Sequence, residues 1–131
     1  MTNPDEVPNR QRLVPLLIVD EQPISANTLH TVFRQYGYDC AVATTADAAV
    51  RTLETHRAEA VVLEWCFRDG SGVGLAARLR ARAAAQSRDL VVIALSAIDE
   101  PDGFREREPV DGYFVKPMSV ALIDRWIRAL L

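Results

Sequence analysis

The run Pro15-Leu16-Leu17-Ile18-Val19, followed at once by Asp20-Glu21, decides the fold. It is too short for a helix of ordinary length, and its apolar residues are unbroken rather than alternating. A strand covered on both faces has that pattern, and such strands belong to parallel sheets. Four further runs repeat it: Cys40-Ala41-Val42-Ala43, Ala60-Val61-Val62-Leu63, Leu90-Val91-Val92-Ile93-Ala94-Leu95 and Tyr113-Phe114-Val115.

Stretches with helical period separate these runs. Ile24, Leu29, Val32, Phe33 and Tyr36 share one face, and Gly37 follows as a stop. The spacing predicts helices over 46–56, with Thr45 as N-cap, and over 73–86. A last helix follows Ser119, with Leu122, Ile123, Trp126, Ile127 and Leu130 as its apolar face. Residues 97–110 carry Pro101, Gly103 and Pro109, which leave room for about one or two turns, so the fourth helix is expected to be short or mobile. The fold class that follows is α/β: a flavodoxin-like, doubly wound, five-stranded parallel sheet of order 2-1-3-4-5. The domain is expected over 13–131, with 1–12, polar and carrying two prolines, as a flexible tail.

Composition narrows the function classes. The 131 residues are 49% hydrophobic and 25% charged, with a formal net charge of −3, so no basic footprint for nucleic acid is present. The arginines between Arg78 and Arg88 read as a solvated helix face. Cys40 and Cys66 lack C-x-x-C spacing, and His30 and His56 lack metal-ligand companions. No apolar run approaches the roughly 20 residues that span a bilayer, and 1–12 has no apolar signal core. A cytoplasmic domain that binds neither nucleic acid nor membrane is the expectation.

In an open parallel sheet the site lies at the carboxyl ends of the strands. Those ends are Asp20-Glu21, Glu64, Ser96 and Lys116-Pro117. Clustered carboxylates repel and are stabilised by a cation, for which Mg2+, with its preference for hard oxygen ligands, is suited. Lysine neutralises charge or holds an anion, and a serine hydroxyl donates to one. Pro117 makes a cis Lys116–Pro117 bond plausible.

Leu16-Leu17-Ile18-Val19-Asp20-Glu21, Val61-Val62-Leu63-Glu64, Ala94-Leu95-Ser96-Ala97 and Tyr113-Phe114-Val115-Lys116-Pro117, in that order, resemble the receiver domains of bacterial two-component response regulators. The resemblance covers about 13–131 and assigns roles residue by residue. It implies Asp20 and Glu21, with Glu64 and the backbone carbonyl of Cys66, as Mg2+ ligands. Ser96 and Lys116 become the phosphoryl contacts, Ser96 and Tyr113 the switch pair, and Gly72 the closing glycine of the site loop. No other cofactor is implied. Two departures stand out: the phosphoacceptor aspartate is Glu64, and Phe67-Arg68 stand where Met-Pro is usual. The second departure favours natural divergence at Glu64 over an engineered change.

Glutamate carries its carboxylate about 1.5 Å further than aspartate, and a displacement of about 1 Å costs about two orders of magnitude in rate. The same reach brings it toward Lys116 and Ser96. The expected function is an atypical receiver, a signalling and protein-interaction module independent of aspartyl phosphorylation, with Glu64 partly mimicking the phosphorylated state. It is not an enzyme beyond autophosphorylation from a phosphodonor. Mg2+ binds or is dispensable, according to whether Lys116 satisfies the carboxylates instead. The expected partners are a histidine kinase or a downstream effector, or a second copy through the face of the fourth helix, fifth strand and fifth helix. The alternative is a phosphorylatable receiver that takes phosphate from a histidine kinase using Mg2+. An unrelated nucleotide-binding enzyme on this fold lacks its glycine-rich loop, since Gln22-Pro23-Ile24-Ser25 follows the first strand.

Overall fold

The computed structural model of the chain describes residues 12–131. The tail expected over 1–12 lies, Arg12 apart, outside the described residues. The five apolar runs form parallel strands β1 (Val14–Val19), β2 (Tyr38–Ala43), β3 (Ala60–Glu64), β4 (Val91–Ser96) and β5 (Gly112–Val115). Their order is β2-β1-β3-β4-β5. Between and after them run helices α1 (Pro23–Gln35), α2 (Ala46–Thr55), α3 (Leu75–Ala85), α4 (Phe104–Arg107) and α5 (Val120–Leu130).

Successive strand residues point to opposite faces, so each central run feeds two cores. Leu17, Val19, Val61, Leu63 and Val92 pack under α2 and α3, against Ala49, Leu53, Leu75 and Leu79. Leu16, Ile18, Val62, Ile93 and Leu95 pack on the other face against Leu29 and Phe33 of α1 and Ile123 and Ile127 of α5. Each such side chain contributes about 1.5–3 kcal/mol on leaving water. This explains why the runs are unbroken.

The expected caps are present: Thr45 Oγ1 accepts from Ala48 N at 3.0 Å, and Ser119 Oγ accepts from Leu122 N at 3.2 Å. Other details differ from expectation. α3 starts at Leu75 rather than Val73, because Gly74 takes a left-handed conformation (φ 76°) ahead of it. Ile24 does not join the apolar face of α1; it is 84% exposed. On α5 Ile123 and Ile127 are buried and Val120 packs beside the same core, while Leu122, Trp126 and Leu130 stay exposed. Arg80 leaves the expected solvated face. It donates to Pro109 O (2.6 Å), Leu90 O (2.6 Å) and Asp111 Oδ2 (2.7 Å), clasping the approach to β5.

The fourth helix is four residues long. Its stop has a local cause: the residue before a proline is driven out of the α region. Glu108, ahead of Pro109, has φ −119° and ψ 115°. Among the described residues no helix is long and apolar enough to cross a membrane.

Candidate functional site

Strand register assembles the site. Val19 is paired with Leu63, so Asp20 and Glu64, the next residues, leave the same end of adjacent strands. Ser96 is paired with Val115, and the Lys116 N–H donates to Ser96 O at 2.8 Å. The Lys116–Pro117 bond is cis.

Asp20 is 1% exposed. Its Oδ1 accepts from Gln22 N at 2.9 Å, as the chain turns into α1, while Oδ2 is buried without a partner. Glu21 is turned to the loop after β3, where its Oε1 accepts from Arg68 N at 3.1 Å; the Arg68 Nε lies 3.9 Å away. Glu64 Oε2 lies 2.8 Å from Lys116 Nζ. That oxygen accepts no aligned hydrogen bond, so the contact is an ion pair without hydrogen-bond geometry. Burial pushes the Glu64 carboxyl above the usual glutamate range. Lys116 pulls it back, and the negative charges of Asp20 and Glu21 add to the rise.

Of the two groups that the longer arm of Glu64 was expected to approach, the structure brings Lys116 into contact. Ser96 is buried, its Oγ accepting from Ile98 N at 3.2 Å, and among the described residues no hydrogen bond joins it to Glu64. Tyr113 is half-buried. Its hydroxyl donates to Ile98 O at 2.9 Å and accepts from Trp65 Nε1 at 3.3 Å, and Phe104 of α4 packs against both rings.

The loop from Trp65 to Gly74 is closed by steric necessity. A Cβ on Gly72 would lie 1.8 Å from the Trp65 carbonyl oxygen, so only glycine fits. Asp69 is a turn residue before Gly70. Its Oδ1 accepts from Ser71 N at 2.9 Å, and hydrogen bonding with Ser71 holds its carboxyl below the usual range. Cys66 is exposed in this loop. Cys40 is half-buried, and burial pushes its thiol up to about 11.

A divalent cation fits one donor here well: the unpartnered, buried Oδ2 of Asp20. Glu21 and Glu64 are engaged by Arg68 and Lys116. Among the described residues no three His, Cys, Asp or Glu side chains are grouped to hold a metal ion.

Three residues escaped the sequence reading. Arg68 was noted only as a departure in the loop. Trp65, next to Glu64, was read as part of no group, although its aromatic character was visible. Glu108 is buried, and both its oxygens face Gly74 N (2.8 and 3.3 Å). An acid held just before Pro109 was its one sequence signal.

Comparison with known proteins agrees with this geometry. A family profile described as response regulator receiver domain matches residues 16–128. The probable transcriptional regulatory protein TcrX of Mycobacterium tuberculosis is 28% identical over 120 residues, covering 90% of this chain and 50% of its own length. The chain therefore spans half of that relative. Two solved structures share the fold. The CheY-like receiver domain from Methylobacillus flagellatus has a TM-score of 0.76 at 22% identity, covering 91% of this chain and 99% of that one. TrrA from Thermotoga maritima, solved in complex with Mg2+-BeF, has a TM-score of 0.75 at 21% identity, covering 91% and 100%.

Proposed function

This chain belongs to the response regulator receiver domain family, and from that premise we propose that it is a signalling and protein-interaction module whose state does not depend on aspartyl phosphorylation. Glu64 stands at the phosphoacceptor position and partly mimics the phosphorylated state. The observation that carries this reading is the 2.8 Å contact between Glu64 Oε2 and Lys116 Nζ. The longer side chain delivers a carboxylate to the lysine that would otherwise meet a phosphoryl group. The mimicry is partial, since glutamate carries one negative charge and a phosphoryl group nearly two. Lys116 then acts as the constant reader of Glu64, Ser96 keeps its hydroxyl on the β4–α4 connection, and Tyr113 is the switch aromatic.

When Mg2+ is bound, it neutralises the acidic end of the sheet. Asp20 Oδ2 is the oxygen placed to meet it, and Glu21, Glu64 and the Cys66 carbonyl would join only after rearrangement, since Arg68 and Lys116 engage the two glutamates. The partner is a protein, either a histidine kinase or an effector, and the location is cytoplasmic. A second copy is a further candidate partner, through α4, β5 and α5, where Val115, Leu122 and Trp126 are exposed.

The second reading, a phosphorylatable receiver, is favoured by one observation: the unpartnered Oδ2 of Asp20 keeps a cation donor available. Intact-mass spectrometry after incubation with a small phosphodonor and Mg2+ separates the two. No adduct on the native chain is expected, and a phosphoryl adduct is expected on Glu64→Asp. An adduct on the native chain would overturn the phosphorylation-independent reading.

A further inference from the structure

We propose that Trp65 is the positioning residue of the switch: its indole, rather than the Ser96 hydroxyl, carries a change at Glu64 to Tyr113 and α4. Glu64 ends β3, and Trp65 is the next residue, where the site loop begins. The Trp65 main chain is held there. Its carbonyl accepts from Phe67 N at 3.1 Å and lies against Gly72, where a Cβ would come within 1.8 Å of the oxygen. The indole therefore moves with the end of β3 and its loop, not apart from them.

The indole meets both parts that a switch at this end has to move. Its Nε1 donates to the Tyr113 hydroxyl at 3.3 Å, and its ring lies 4.8 Å from that of Phe104, centroid to centroid. Phe104 is 1% exposed and packs against Tyr113 edge to face, with centroids 5.1 Å apart. It belongs to α4, so that short helix is gripped by both rings. A phenol hydroxyl has one proton to donate and can also accept. Tyr113 gives its proton to Ile98 O at 2.9 Å, and Trp65 supplies the bond it accepts.

Ser96 offers no equivalent route. Its Oγ accepts from Ile98 N at 3.2 Å, and among the described residues no hydrogen bond joins it to Glu64 or to Tyr113. Its connection to Tyr113 is indirect, through the backbone of Ile98.

The inference rests on the proposed reading of Tyr113 as a switch that answers to Glu64, and the test separates the two ideas. The chain has three tyrosines, so the Tyr113 ring signal is followed by NMR after selective labelling, with Tyr113→Phe assigning it. Glu64→Gln is introduced into the native chain, into Trp65→Phe and into Ser96→Ala, with circular dichroism checking the fold of each. Trp65→Phe keeps an aromatic ring beside Phe104 and loses only the N–H donor and the second ring. Glu64→Gln is expected to shift the Tyr113 signal alike in the native chain and in Ser96→Ala, and by about threefold less in Trp65→Phe. A shift of full size in Trp65→Phe, or one lost in Ser96→Ala, overturns the role of Trp65 and leaves Tyr113 a responsive switch. No shift in the native chain overturns both. If Trp65→Phe does not fold, exchange of the Trp65 indole N–H decides, with Trp126→Phe assigning its signal. Exchange about fivefold faster in Glu64→Gln than in the native chain, the loss of one hydrogen bond, supports the inference. Equal rates defeat it.

Discussion

Glu64 and Glu108 are both shielded glutamates, and the same loop connects them: it leaves Glu64 at the end of β3 and reaches Gly74, whose N–H serves Glu108. Their surroundings differ. Glu108 presents both oxygens to one main-chain donor at the start of α3, where aligned peptide dipoles favour negative charge. Glu64 relies on a single flexible ammonium and has an oxygen without an aligned hydrogen bond. Glu108, with both oxygens on the Gly74 N–H, ties α4 to the start of α3 and is part of the scaffold. A carboxylate held by one mobile side chain retains alternatives, and a signalling site needs them.

The loop between the two glutamates offers the strongest test of this contrast. Gly72→Ala places a Cβ 1.8 Å from the Trp65 carbonyl. It is expected to cost about 3 kcal/mol or more, read as a shift in the urea midpoint. A smaller cost would mean that the loop yields and that Glu64 and Glu108 are not rigidly linked.

Glu108→Ala should cost about 1–3 kcal/mol, because it leaves the Gly74 N–H unsatisfied. Glu108→Gln should recover about half of that by restoring an acceptor. Equal losses in the two variants would show that charge, not acceptance, is what α3 needs.

Glu64→Gln should have a smaller, pH-dependent effect. The folded-state pKa of Glu64 is raised, with burial the first cause, so its ionisation works against folding. The stability it withholds is present below the unfolded pKa and lost as pH rises through the folded one. The Glu64→Gln variant should therefore be favoured over the native chain most at neutral pH, and the difference should shrink as pH falls into the acid range. A difference that grew on acidification would reverse the sign and assign the dominant role to Lys116.

The smallest effect is on thiol labelling. Cys66, exposed between the two glutamates, should be alkylated first, and Cys40, with its thiol at about 11, should resist at pH 8. Comparable rates would mean that the sheet edge at Cys40 opens as readily as the loop.

Much of this was legible in the sequence because burial on both faces leaves an unambiguous mark. Leu16 to Val19 had to be a central strand, and strand ends in a parallel sheet fix where Asp20, Glu64, Ser96 and Lys116 emerge. Proline and glycine also speak locally, so Pro101, Gly103 and Pro109 pointed to a short fourth helix, which the structure limits to four residues. What could not be read depended on which of several equivalent apolar residues turns inward. Ile24, Leu122, Trp126 and Leu130 have the period of a core face, yet α1 and α5 each bury only a narrow stripe. Contacts made by backbone N–H groups were also hidden, because every residue except proline has one. The engagement of Glu21 by Arg68 and of Glu108 by Gly74 carries no compositional signature.

The position of α5 has a consequence for synthesis. One of the two cores takes Ile123 and Ile127 from this helix, and Arg128 reaches back to Tyr36 O at 2.7 Å. A growing chain can complete β1, β3 and β4 and cover their other face with α2 and α3. Leu16, Ile18, Val62 and Ile93 still lack part of their cover until α5 has been made. Translation that halts before Val120 would leave an oily sheet face open to chaperones or to neighbouring chains.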